Sequence, residues 1–150
     1  MGQRFHEKKR RRNKQYHRKA INVAENAVVW VCERWMKQGK IIHYVHSCQS
    51  GQLDKDGVDI DISLKSGFKV PVQVVFKISD EQIEEKRAHH FRLYPHVKTF
   101  LAVERIPQGD VARDAKIYRK IAQDLATEIN ELISKAGNNA DKIVPDIDES

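Results

Sequence analysis

Two short runs in the middle of the chain constrain its fold more than any other feature. In Gly57-Val58-Asp59-Ile60-Asp61-Ile62 and in Val70-Pro71-Val72-Gln73-Val74-Val75-Phe76-Lys77, apolar residues alternate with others between Gly or Pro boundaries. That alternation is the pattern of half-buried strands, not of helices. Side chains on a strand point to opposite faces with period two, so Val58, Ile60 and Ile62 share one face and Asp59 and Asp61 the other. In the second run Val72, Val74 and Phe76 share a face, and Gln73, Val75 and Lys77 share the opposite one. Between the runs, Ser63 to Lys69 contains Ser66-Gly67, a turn signal that predicts an antiparallel hairpin. Paired in this way, the two strands bring an Asp, a Gln side-chain carbonyl and a Lys ammonium into one cluster. A Gln flanked by valines needs a polar partner if it is buried.

The flanking sequence places this hairpin in a longer order. A first helix is expected to begin between Asn13 and Ala20, carry Ile21, Ala24, Val28, Val31 and Trp35 inward, and stop at Gly39. Ile41 to His46 reads as a strand. Ser79 with Gln82 forms a capping box opening a second helix, which carries Ile83, His90, Phe91 and Tyr94 inward and ends before Pro95. Val97 to Val103 is a further strand. Asp110 caps a long last helix, with its apolar stripe on Val111, Ala115, Tyr118, Ala122, Leu125, Ile129, Leu132 and Ala136 and Gly137 at its close. The order α-β-β-β-α-β-α predicts an α/β protein with a mixed central sheet covered by helices. The body is expected to run over 20–136, after a basic, disordered arm at 1–19 and before an acidic, disordered tail at 137–150.

At 150 residues the chain is expected to form one domain. No apolar run reaches the roughly 18–20 residues a membrane span needs, and two cysteines are too few for a disulfide framework, so a cytoplasmic setting is expected. The net charge of +6 is uneven. Residues 1–20 hold nine Lys or Arg against Glu7, which leaves −2 for the remainder. Lys8, Lys9, Arg10, Arg11, Arg12, Lys14, Arg18 and Lys19 therefore form a basic arm suited to a polyanion, because each cation near a phosphate releases condensed counterions. Nucleic acid is the expected partner, DNA before RNA, with no membrane partner.

The element order, with Gly57-Val58-Asp59 on one central strand and Gln73 on the next, resembles the PD-(D/E)XK nuclease superfamily, and within it the restriction-endonuclease-like and Holliday-junction-resolvase-like members. The resemblance covers residues 20–136. It implies a restriction-endonuclease-like core and a Mg²⁺- or Mn²⁺-dependent endonuclease hydrolysing phosphodiester bonds in branched, damaged or restriction-type DNA. It also implies a homodimer. Carried over position by position, the family's Asp matches Asp59, its Glu-or-Gln matches Gln73, and its helix Glu matches Glu25, or less well Glu33. Asp59, Gln73 and Glu25 are then the metal set, joined by a backbone carbonyl near Val74. The family's lysine stands two residues after the Glu or Gln, where this chain has Val75. Lys77 lies two residues further along the same strand face, about 6.5–7 Å away by strand rise; Lys86 on the next helix is the alternative. With Gln73 in place of a third carboxylate, cation binding is expected to be weaker. The alternative function is a catalytically degenerate nuclease fold serving as a nucleic-acid-binding or assembly module.

Other chemistry-bearing residues read more plainly. His43, His46, Cys32 and Cys48 invite zinc, but His43 and His46 face opposite sides of a strand and no CxxC spacing accompanies them. His89, His90 and His96 are read as surface or core-edge residues, with a phosphate contact open to His90 or His96. Trp30 and Trp35 are read as rim and core of the first helix.

Overall fold

The computed structural model describes residues 21–47, 57–76, 80–95 and 99–148. The basic arm, Lys77, Ser79, Cys48, His96 and Val97 lie outside the described residues.

The first helix, α1 (21–37), buries Ala24, Ala27, Val28, Val31, Cys32 and Trp35. Those positions recur at steps of three and four, which places them on one face. Gly39 follows at φ 75°, a left-handed conformation costly to residues with a Cβ, and turns the chain into the sheet.

Strands β1 (Ile41–His46), β2 (Ile60–Leu64), β3 (Lys69–Phe76) and β4 (Thr99–Val103) form one sheet in the order β1-β2-β3-β4. The first two pairings are antiparallel, with Ile60 opposite Val72 and His46 opposite Ile60. The expected β2–β3 hairpin forms, but β2 starts at Ile60, later than the run from Val58, and the turn is tighter than expected. It spans only 65–68, with Gly67 at φ 91° and Leu64 N–H donating to Phe68 O at 2.9 Å. β3 and β4 are parallel, with Gln73 opposite Phe100. Parallel neighbours need a crossover, and helix α2 (Asp80–Leu93) supplies it.

Alternation separates the two faces of the sheet. Ile60, Ile62, Leu64, Val70, Val72, Val74, Leu101 and Val103 join the buried cluster built on α1 and on helix α3 (Val111–Ala136). Phe100 points the other way, against His90 and Phe91 of α2, with ring centroids 5.5 and 6.2 Å apart. Helices thus cover both faces, as the α/β expectation required.

α3 begins where expected, with the Asp110 side chain accepting from Arg113 N–H at 3.1 Å, and closes at Gly137, φ 79°. Its buried stripe differs from the expected one. Ile117, Ile121, Ala122, Leu125, Ala126, Ile129 and Ile133 are buried, whereas Val111 is 87% exposed. A long helix offers several rows at four-residue spacing, and the heaviest aliphatics, three of them isoleucines absent from the expected stripe, took the inward one.

The disordered tail expected from Gly137 onward is a correction for the described residues 137–148. Ile143 and Ile147 are buried, and a 3₁₀ turn (Asn139–Asp141) brings the Asp141 carboxylate to Ser66, accepting from its N–H at 3.2 Å and from its hydroxyl. The Asn130 side chain mimics a strand partner, donating to Ile143 O at 2.9 Å and accepting from Ile143 N–H at 2.8 Å. Lys40 Nζ donates to the carbonyls of Val144 and Asp146. Two isoleucines among acidic residues suffice to dock the segment, because their burial outweighs the solubility of their neighbours.

Candidate functional site

β2 ends at Ile60, but β3 runs on past it, which leaves β3 amides without a strand partner on that side. Asp59 fills the gap. Its own N–H donates to Val72 O at 2.9 Å, and its Oδ2 accepts from Val74 N–H at 2.7 Å. The carboxylate thus takes the place of a ladder carbonyl, in a charge-assisted bond. Extending the Ile60–Val72 register by one residue sets Asp59 opposite Gln73, so the structure brings these two residues together at the end of the hairpin. Both are half-buried. The carboxylate, the Gln73 amide and the backbone beside them form a set of hard oxygen donors.

A glycine two residues earlier makes the approach to Asp59 possible. Gly57 has φ 78°, and a Cβ there would lie 2.5 Å from Cδ2 and Cγ of Tyr94. Tyr94 follows the end of α2, so its ring presses the Gly57–Asp59 segment toward the sheet. The Tyr94 ring stands 5.4 Å from that of His90, itself buried against Phe91 and Phe100. The reading of His90 as a core-edge residue agrees with its burial.

Glu25 reaches the same end of the sheet from α1. Its Oε1 lies 3.3 Å from His46 Nε2, and its side chain is only 14% exposed. His46 is the last residue of β1, and the N–H of the next residue, Ser47, donates to Asp59 O at 2.8 Å. Glu25 is therefore linked to Asp59 through the β1 terminus. Glu33, the alternative helix Glu, is engaged elsewhere: it accepts a hydrogen bond from the Tyr44 hydroxyl. Burial, that bond and the nearby Glu33 charge push the Tyr44 phenol up to about 12.

Val75, at the family's lysine position, is half-buried on the strand face it shares with Gln73. Lys86 sits one turn before His90 on α2, on the side of the helix that packs against the sheet. Asp61 is held above the usual carboxylate range by burial, with Lys69 pulling the other way. Among the described residues no group of three or more His, Cys, Asp or Glu side chains could hold a metal ion. Trp35 is fully buried, whereas Trp30 stacks on Tyr118 at 4.2 Å with the Arg34 guanidinium over its ring, as rim and core positions require.

Sequence reasoning missed the His46–Glu25 contact and the Tyr94 ring over Gly57. Neither has a local signature, since each joins residues more than twenty positions apart. A basic row on α3 was legible, however: Arg113, Lys116 and Lys120 recur at steps of three and four. Comparisons of the chain with protein-family models, with curated proteins and with solved structures return no match.

Proposed function

We propose that this chain is a metal-dependent endonuclease-like phosphodiesterase acting on DNA, with Asp59 and Gln73 at the centre of its site. One observation carries the reading: the Asp59 carboxylate is fixed by Val74 N–H beside Gln73, where two central strands part. The order of helices and strands implied by the PD-(D/E)XK resemblance, with β3 and β4 parallel, supports it. The fit to a divalent cation rests on donor chemistry. One carboxylate and one amide oxygen suit Mg²⁺ or Mn²⁺, which accept few protein ligands and keep several waters. Asp59, Gln73 and, at longer reach, Glu25 would hold the ion. When bound, it supplies Lewis acidity toward a phosphoryl oxygen.

The chain's own groups do the rest. Val74 N–H fixes the direction of the Asp59 carboxylate. Gln73 contributes an oxygen without charge, so the site attracts a phosphate diester with less repulsion than two carboxylates would impose. His46 Nε2 holds Glu25 Oε1 at the β1 terminus. The basic arm supplies sequence-independent attraction to the phosphate backbone. Among the described residues, no helix is long and apolar enough to cross a membrane.

A second reading has an observation of its own. Val75 stands where the family's lysine would, and a fold without that ammonium is a nucleic-acid-binding or assembly module. Plasmid, branched DNA and RNA incubated with Mg²⁺ or Mn²⁺ separate the two readings. Asp59→Asn is the informative control, because the amide oxygen can still accept from Val74 N–H while the charge is gone. Cleavage by the wild type that the Asn variant loses is expected. Cleavage that survives in the variant removes Asp59 from the site, and binding without cleavage under either metal favours the module.

A further inference from the structure

The last strand of the sheet borders a groove that the Asp59 site does not use. Its volume is about 280 Å³, and one wall is Leu101 to Arg105, five residues in succession. Side chains on a strand alternate between faces, so a cavity that touches consecutive residues lies along the strand's edge and not over either face. Among the described residues, β4 has β3 as its one strand neighbour, so this edge presents backbone N–H and C=O groups to the groove. The other wall is one face of α3, from Arg113 to Asp124 at steps of three and four. Both walls are roughly 16 Å long, by strand rise and by helix rise. That is room for about five residues of extended chain.

The walls also specify charge. Leu101, Val103, Ile117 and Ile121 make the floor apolar, and Arg105, Arg113, Lys116 and Lys120 line the groove against Glu104 and Asp124. Lys120 shares its charge with Asp124 at 3.0 Å, which concentrates the positive charge at the end where Arg105 meets Arg113 and Lys116.

We propose that this groove binds an extended, acidic peptide segment that adds a strand to the β4 edge. Main-chain hydrogen bonds to β4 supply affinity, and alternate side chains meet the apolar floor and the cationic rim. A second copy of the chain is disfavoured as occupant, because pairing two β4 edges would bring two sets of Arg105, Arg113 and Lys116 together. Nucleic acid would use the cations but neither the apolar floor nor the open strand edge.

The test uses the full chain, ¹⁵N-labelled, and a blocked eight-residue peptide alternating glutamate and valine. Three comparisons accompany it: the same peptide with alternate amides N-methylated, its lysine-for-glutamate counterpart, and a single-stranded oligonucleotide. The N-methylated peptide has identical charge, so the basic arm binds both equally and the difference reports strand addition alone. The glutamate peptide is expected to shift the amides of Leu101 to Arg105. N-methylation should weaken binding by roughly tenfold or more, and so should Arg113→Glu combined with Lys116→Glu. Equal binding of the two glutamate peptides, or no shift at β4, overturns the proposal. So does an oligonucleotide that shifts β4 when the peptide does not, or self-association through Leu101 to Arg105 as the concentration rises.

Discussion

Replacing Gly57 by Ala tests how the segment ahead of Asp59 is held. Two costs add. Gly57 has φ 78°, and an L-residue pays about 1–2 kcal/mol for a left-handed conformation. The new Cβ would also stand 2.5 Å from Tyr94 Cδ2 and Cγ and 2.8 Å from Cε2, about 1 Å inside carbon–carbon contact. The ring cannot retreat freely, because His90, Phe91 and Phe100 lie behind it. Overpacking of this kind costs roughly 1–3 kcal/mol. The sum, about 3 kcal/mol, corresponds to a fall in Tm of ~6–12 °C for a domain of this size.

The assay is a double-mutant cycle by urea or thermal unfolding. In a Tyr94→Ala background the clash is gone and only the backbone cost of about 1–2 kcal/mol remains. If Gly57→Ala costs the same in both backgrounds, the Tyr94 ring does not press on this segment and the reasoning fails. A loss in the wild type below about 0.5 kcal/mol, the scale of an ordinary surface change, would refute the backbone argument as well.

Other consequences follow from single contacts. Asn130→Asp should destabilise the fold by about 1–3 kcal/mol at neutral pH, because a carboxylate would then face the Ile143 carbonyl that the amide now donates to; unfolding midpoints for the Asp and Asn forms check it, and an equal midpoint would free residue 143 from this anchor. The Cys32 thiol, pushed up to about 12 chiefly by burial, should resist alkylation at pH 8 in the native protein and react on unfolding, as peptide mass mapping would reveal. The Cys32 and Tyr44 protons are both held more tightly in the fold than the ordinary 9.0 and 10.0. The unfolded chain releases them first as pH rises, so stability should fall between about pH 9 and 12; a urea midpoint that does not drop across that window excludes the effect. Ile143→Ala with Ile147→Ala should cost several kcal/mol, by the usual price of large-to-small changes in a core, and a midpoint within error of wild type would mean that the segment after Gly137 is not docked.

The alternation in residues 58–62 and 70–76 determined by itself that two strands would pair antiparallel, because a one-residue slip would turn every valine and isoleucine outward. It also determined that Asp59 and Gln73 would be near neighbours, since register follows from the turn between them. The helix ends at Gly39, Asp110 and Gly137 were equally legible, because capping is a matter of a few adjacent residues. The inward row of α3 was not, since several four-residue rows compete on a long helix and the sheet decides among them.

Nor did composition show that the segment after Gly137 would dock. Its two isoleucines count only where Asn130, Lys40 and Ser66 offer matching bonds. The contacts that complete the site, Glu25 with His46 and Tyr94 over Gly57, join residues far apart in the chain. The groove beside β4 exists only because that strand is the last in its sheet. Local pattern settles what depends on neighbours in the chain, whereas long-range contacts wait on the packing of whole helices and strands, whose energies no short segment carries.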